Sequence, residues 1–216
     1  MSIDPGLIRE ALLNVIIIVV SLALHEWGHA FVADRLGDDT PRSQGRVTLN
    51  PLVHIDPIGT LLLPLLGSLG FFGSFGVIGW AKPVQTTPRN FKNGMRDQAF
   101  VTIAGPAMNF IIAAFATVAA GLCYRFFPSL TPLFHQVLVL NVALIVFNLL
   151  PIPPLDGSKF LMYWFGMSED AYVRFAQWGW LLLLVLVNLR PFQVLMALLF
   201  ALVGTPFNLL YRFLIS

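Results

Sequence analysis

Long runs of apolar residues are the feature that most restricts how this chain can fold. Each run is close to the roughly 20 residues that an α-helix needs to cross a bilayer. The runs are 7–33, 99–122, 136–152, 172–189 and 192–213. Of the 216 residues, 57% are hydrophobic and 11% are charged, whereas soluble domains average about 25% charged residues. The sequence therefore predicts an all-α polytopic membrane protein with five to six transmembrane helices.

The stretch 57–80 is apolar, but two prolines and six glycines interrupt it. It could span the membrane, re-enter it or form an extended hairpin. Non-helical backbone at membrane depth is tolerated only where it is buried in protein or lines a wet cavity. We therefore expect a re-entrant or β-hairpin segment around 57–84, packed beside the functional site.

The distribution of Lys and Arg along the chain predicts how the protein is oriented in the membrane. With re-entry of 57–80, ten of the 13 Lys and Arg residues lie on one side and three on the other. A full crossing would instead divide them eight against five. Because cytoplasmic loops are enriched in Lys and Arg, the sharper asymmetry favours re-entry, with the C-terminal end of the first helix toward the cytoplasm. We expect a multi-pass protein of the cell membrane.

Charge and cysteine content exclude several classes of function. A net charge of +2, from 13 basic and 11 acidic residues, is too balanced to indicate a nucleic-acid partner. Cys123 is the single cysteine, so a bound metal must use nitrogen and oxygen ligands. The first apolar run lacks a basic leader, and we expect it to be a mature helix rather than a signal peptide.

The stretch His25-Glu26-Trp27-Gly28-His29, near the end of the first apolar run, carries the chemistry. Side chains four positions apart lie on one face of a helix, about 6 Å apart, so both imidazoles can reach one metal ion. Glu26 is then placed to hold and deprotonate a water molecule. Ionisable groups in lipid are costly and by default functional. The motif predicts a zinc site with Glu26 as the general base, rather than a polar cluster at a helix end.

A hydrolytic zinc site normally has three protein ligands, so one more is needed. Asp156 is the best candidate, because three nearby prolines break the helix before it and Gly157 permits a tight turn. Without the histidine motif, an Asp-Gly pair after prolines would indicate a loop turn. We predict that His25, His29 and Asp156 bind one Zn²⁺ per chain.

Four other polar residues have roles that the sequence alone does not decide. Asn148 could be a catalytic donor to the developing oxyanion, or it could form an interhelical hydrogen bond, and the sequence favours neither. Asn109 is interpreted as a structural tie between helices. His54 is interpreted as bonded to its own loop rather than as a further ligand, and His135 as an interfacial residue.

The sequence resembles the site-2 proteases, a family of intramembrane zinc metalloproteases, in their small form without PDZ or CBS domains. The resemblance covers the chain from the first helix to about residue 160 and lies in these motifs: His25-Glu26-x-x-His29, Gly45-Arg46-Val47-Thr48-Leu49-Asn50-Pro51, Asp56-Pro57-Ile58-Gly59, Gly79-Trp80-Ala81-Lys82-Pro83-Val84, Ala104-Gly105-Pro106-x-x-Asn109 and the segment Asn148 to Gly157. It implies that His25, His29 and Asp156 are the zinc ligands and that Glu26 is the general base. It also implies a membrane-protein substrate with a transmembrane helix.

We therefore expect a single membrane-embedded metalloprotease domain over 1–216, with a catalytic core at about 7–160 and C-terminal helices at about 161–216. Residues 75–84 are expected to form an extended edge that captures an unwound substrate. One alternative is a metal-ion carrier, which would not need Glu26 and would show polar residues along a path. The other is a pseudoprotease that binds membrane helices without cutting them. A homo-oligomer stays open.

Overall fold

The computed structural model describes residues 4–71 and 79–216. Residues 75–78 of the predicted extended edge lie outside the described residues. Throughout the described ranges, every regular element is helical. The chain divides into two compact units, Met1–Asp97 and Gln98–Ser216.

A single long helix dominates the first unit. Helix α1 runs from Pro5 to Arg35. Its start is fixed by Asp4, whose carboxylate accepts a hydrogen bond from the Gly6 amide at 2.9 Å, and by proline at the first helical position. At 1.5 Å per residue, 31 residues give about 46 Å, which exceeds the roughly 30 Å hydrocarbon layer.

The rest of the first unit consists of short helical pieces that follow α1. They are α2 (Thr40–Ser43), a 3₁₀ turn (Pro51–Val53), a π-helical turn (Pro57–Leu62), α3 (Leu63–Ser68), which continues that turn, and a second 3₁₀ turn (Pro88–Asn90). The π-helical turn and α3 both pack against α1. A β-carbon on Gly59 would overlap the Trp80 indole, so this glycine lets the π-helical turn approach the segment that begins at 79.

The structure shows helix, not a β-hairpin, at 57–68. The reason is local: the Asp56 carboxylate accepts hydrogen bonds from the amides of Ile58 at 3.0 Å and Gly59 at 2.6 Å. Asp before Pro is a strong start signal for a helix. The alternative in which this segment enters the membrane and returns stays a prediction.

The second unit is a bundle of helices, and one of its hydrophobic clusters lies between three of them. Its helices are α4 (Met95–Phe126, which begins in the first unit), α5 (Thr131–Asn148), α6 (Phe160–Phe165), α7 (Glu169–Leu186) and α8 (Arg190–Ile215), with a 3₁₀ turn (Pro128–Leu130) before α5 and another (Asp156–Lys159) before α6. Ala113 and Ala116 of α4 pack with Leu138 and Val142 of α5 and with Phe207 of α8. Small residues on α4 allow this close helix contact.

Within residues 4–71 and 79–216, four helices are long and apolar enough to cross a membrane, which fits a membrane protein. They are Pro5–Arg35, Met95–Phe126, Pro128–Asn148 and Arg190–Ile215. They match four of the five predicted runs. The fifth run, 172–189, corresponds to α7, which has three charged residues in its first six positions and falls outside this group. The structure thus has four candidate membrane-spanning helices among its described residues, and the total of five to six spans stays a prediction.

Candidate metal centre

The two histidines of α1 point their ring nitrogens at each other. The Nε2 atoms of His25 and His29 lie 3.1 Å apart, and the side chains are only 3% and 4% exposed. Two imidazoles bound to one tetrahedral zinc at about 2.0–2.1 Å would have their nitrogens roughly 3.3 Å apart. The helical spacing therefore brings these nitrogens to the separation that a shared zinc ion requires.

Glu26 lies between them and is held from outside the helix. Its Oε2 accepts a hydrogen bond of 2.8 Å from the backbone N–H of Val84, and the residue is 9% exposed. A carboxylate that accepts one backbone amide has its orientation restricted, while its second oxygen has a defined direction. Glu26 thus has a fixed orientation, one residue after His25 in the chain.

A buried carboxylate just after α1 anchors the chain that follows Val84. Asp38 accepts hydrogen bonds from the Thr40 hydroxyl at 2.6 Å and the Thr87 amide at 2.7 Å, and from the Asn90 amide at 2.9 Å. Burial opposes ionisation of Asp38, but these hydrogen bonds outweigh it and lower the pKa of the carboxyl below its ordinary value. The bonds tie 87–90 to the end of α1.

Asp156 begins a 3₁₀ turn after the proline-rich stretch 151–154. The residue is 8% exposed, and its Oδ1 accepts a hydrogen bond from Lys159 Nζ at 3.0 Å. A β-carbon on Gly157 would overlap the carbonyl of Leu149, and one on Gly179 of α7 would overlap that of Pro153. Two glycines therefore let backbone pack directly on backbone around this turn, which fixes the carboxylate.

His25, His29 and Asp156 form a group that could hold a metal ion. Each offers one ligand atom, all three residues are buried, and the ligand atoms lie within 4.8 Å of one another. Two nitrogens and one oxygen are a ligand set that zinc accepts, and three protein ligands leave a position for water. The donor set thus fits Zn²⁺, as the sequence predicts.

The other predicted polar residues occupy identifiable places. Asn148 donates its amide to the Leu144 carbonyl of its own helix at 3.0 Å, and its catalytic role stays a prediction. Asn109 donates to Asn141 Oδ1 at 2.9 Å, and both residues are fully buried. This bond ties α4 to α5, as expected for Asn109.

The remaining two histidines have local contacts. His54 is 1% exposed, and its Nε2 bonds to the Thr48 carbonyl at 3.0 Å, in agreement with the loop interpretation. Burial lowers the pKa of its imidazole, more than the Thr48 bond raises it. His135 packs its ring on Tyr211, with centroids 4.6 Å apart.

Three contributions were missed by sequence reasoning. The Val84 amide lies 58 positions from Glu26, and no local pattern connects them. In sequence, Arg46 is only one of the ten basic residues on the predicted cytoplasmic side, yet it is 5% exposed. Asn141 is one of three polar residues in the apolar stretch 136–148, and that rarity is the signal that could have identified it as the partner of Asn109.

The known proteins reported as similar to this chain are all named putative zinc metalloproteases. "Putative zinc metalloprotease YwhC" of Bacillus subtilis (strain 168) is 39% identical over 155 residues, which cover 68% of this chain and 66% of that protein. "Putative zinc metalloprotease Rip2" of Mycolicibacterium smegmatis is 36% identical over 78% of this chain and 64% of that protein. The Rip2 protein of Mycobacterium tuberculosis (strain Erdman) is 37% identical over 64% of this chain and 52% of its own length.

The chain thus spans between about half and two thirds of the length of these curated relatives. No family model matches the chain. No solved structure matches it either. The shared names point to zinc-dependent peptide hydrolysis, in agreement with the donor set described above.

Proposed function

The chain belongs to the site-2 protease family, and from that premise we propose that it is a zinc metalloendopeptidase of the intramembrane type. Its reaction is the hydrolysis of peptide bonds in or next to transmembrane segments of membrane proteins. One observation carries this proposal. His25, Glu26 and His29 are all buried in α1, a helix long and apolar enough to cross a membrane.

Burying ionisable groups in a membrane helix costs free energy, so their presence there indicates a function. A charged side chain in a membrane helix costs several kcal/mol, roughly 2.5–3.5 on insertion scales. A metal carrier has a use for the two imidazoles and Asp156, but it needs no carboxylate that is held in a fixed orientation one residue after His25. The Val84 bond to Glu26 Oε2 therefore favours hydrolysis.

The chain's own residues suffice for the proton transfers of the reaction. His25, His29 and Asp156 would hold the metal. Zinc, when bound, supplies polarisation of the scissile carbonyl and a lowered pKa for a water molecule, to about 7. Glu26 accepts a proton from the attacking water and delivers it to the leaving amine nitrogen, so that the water oxygen ends in the new carboxylate. Asn148 would supply an amide hydrogen bond to the developing oxyanion.

The location of the site determines its substrate. The three residues lie in the last third of α1, so we place them toward the cytoplasmic side of a multi-pass cell-membrane protein. A substrate helix has its amides already bonded, so it must unwind before a carbonyl is accessible. We therefore propose membrane proteins with a transmembrane helix as the partners, within the lipid bilayer, and a homo-oligomer as one form of the enzyme.

The test compares cells that express wild type or Glu26→Gln. This change preserves the shape of the side chain but removes the base. We expect new protein termini within transmembrane segments in wild-type membranes only. Glu10→Gln is the matched control, because Glu10 is an exposed carboxylate on the same helix, and it should cleave like wild type.

Zinc content separates the outcomes. Glu26→Gln should retain one zinc per chain, because Glu26 is not a ligand in this proposal. If wild type and Glu26→Gln give the same termini under several stress conditions while both bind zinc, the protease proposal is wrong.

A further inference from the structure

Arg46 is a buried cation with two backbone partners. Its Nη1 donates to the carbonyl of Val53 and its Nη2 to the carbonyl of Lys82, and the residue is 5% exposed. Its Nε has no hydrogen-bond partner among the described residues. A charge buried with an unsatisfied donor is a poor contribution to stability. This cost points to a use for Arg46 beyond folding.

One of these partners, Lys82, lies in the segment 80–84, which belongs to no helix and bonds to Glu26 through the Val84 amide. Residues 80–84 are held by hydrogen bonds that all fall on even-numbered residues. The bonds are Trp80 N to Gly59 O at 3.0 Å, Thr60 Oγ1 to Trp80 O at 2.7 Å, Lys82 N to His54 O at 2.9 Å, Arg46 Nη2 to Lys82 O, and Val84 N to Glu26 Oε2 at 2.8 Å. In extended backbone, alternate residues direct their amides and carbonyls to the same edge. One edge of this segment is thus fixed along its length.

We propose that Arg46 is a positioning residue for Glu26. By holding the Lys82 carbonyl, its guanidinium sets the edge of 80–84 so that the Val84 amide, two residues further on, meets Oε2. Oε2 is then occupied, and Oε1 is directed to receive the proton. This inference rests on the proposed function for its catalytic consequence, whereas the contact itself does not depend on it.

The geometry requires arginine rather than any cation. The planar guanidinium reaches two carbonyls from two different nitrogens, which a single ammonium cannot do in the same way. Arg46 also joins the loop at Val53 to the segment at Lys82, so that both move together. An Arg46→Lys variant would keep the charge, but its one nitrogen cannot reproduce donation from two separate nitrogens, and we expect an intermediate effect.

Orientation of a base acts on the chemical step more than on substrate binding. Small misplacements of a catalytic group can cost about 100-fold in rate. We therefore expect Arg46→Met to lower kcat by roughly 10–100-fold while KM changes by less than about 3-fold. Zinc content should equal that of wild type, because Arg46 is not among the ligands.

Amide hydrogen exchange of the purified full-length protein in detergent micelles tests the contact without any reaction. The Val84 amide should exchange at least about 10-fold faster in Arg46→Met and in Glu26→Ala than in wild type. Arg42→Met is the matched control, since Arg42 is an exposed arginine paired with Asp34, and it should leave Val84 protected. Unchanged exchange at Val84 in Arg46→Met would overturn the proposal.

A second variant guards against misfolding. Replacing Val84 by its α-hydroxy acid analogue removes only the N–H, and the proposal expects the same loss in kcat as in Arg46→Met. Cleavage of a model transmembrane substrate by the two variants gives this comparison. A raised KM with unchanged kcat would assign Arg46 to substrate binding and overturn the positioning role. If wild type cleaves no substrate yet exchange at Val84 depends on Arg46, the positioning holds and the protease proposal fails.

Discussion

The α1 turn that carries His25 and His29 and the 3₁₀ turn that carries Asp156 position their donors by different means. On α1, a regular helix alone sets the 3.1 Å between the two Nε2 atoms. Asp156 is the first residue of a short 3₁₀ turn, and its direction depends on backbone packed against Gly157 and Gly179. Donors on a helix follow from spacing, whereas a donor on a turn depends on distant contacts. We expect the turn to be the more fragile of the two.

Removal of a donor should have the largest effect in both regions. We expect His29→Ala and Asp156→Ala each to weaken zinc binding by more than about 100-fold, because even the loss of a group that only supports a ligand costs 10–100-fold. Competition with a chelator, read by metal analysis of the purified protein, measures this. If Asp156→Ala binds as much zinc as wild type, Asp156 is not a required ligand, and the 3₁₀ turn does not contribute to the metal site.

The second-largest effect is expected from adding a methyl group to the 3₁₀ turn that carries Asp156. We expect Gly157→Ala to lower the free energy of unfolding by about 1–3 kcal/mol, since its β-carbon overlaps the Leu149 carbonyl. Gly204→Ala is the control, because the nearest atom to its β-carbon is 3.8 Å away. Thermal unfolding in detergent compares the two. Equal melting temperatures would show that the turn is as tolerant as a helix.

Acid should weaken the anchoring that follows α1. The folded-state pKa of Asp38 lies below its ordinary value, so its stabilisation is present above that ordinary value and is lost as pH falls through the folded pKa. We expect Asp38→Asn to cost about 1–2 kcal/mol at pH 7. Melting temperatures between pH 7 and pH 3 should fall less in Asp38→Asn than in wild type. Parallel curves would contradict a role for the charge.

The tie between α4 and α5 should contribute least. Asn109 and Asn141 form a buried interhelical hydrogen bond, and such bonds couple by about 0.6 kcal/mol on average in membrane proteins. A double-mutant cycle with Asn109→Ala and Asn141→Ala measures this coupling. A coupling of zero would mean that this bond does not stabilise the packing of α4 on α5.

Periodic features of the sequence predicted most of the fold. Apolar length predicted α1, α4, α5 and α8, and the spacing of His25 and His29 predicted a shared ligand face. Helix α5 ends at Asn148, three residues before Pro151, because the residue before proline disfavours helix. The end of the predicted run at 152 ignored this effect.

Contacts between distant positions could not be predicted. Arg46 resembles any loop cation in sequence, because its burial depends on the carbonyls of Val53 and Lys82. The bond from Val84 to Glu26 likewise depends on the packing of the whole first unit. Asn109 could be assigned as a tie, but its partner Asn141 required the structure. These contacts are tertiary, and single-sequence patterns carry no record of them.

The even-numbered anchoring of 80–84 has a consequence for how this protein can diverge in evolution. Insertion or deletion of one residue between Trp80 and Val84 would exchange the two edges of the segment, because the backbone alternates with a period of two. The Val84 amide would then face away from Glu26. Substitutions of side chains here leave the hydrogen bonds of the backbone in place, whereas changes in length do not. In descendants of this chain, drift in composition within 80–84 should therefore be common and drift in length rare.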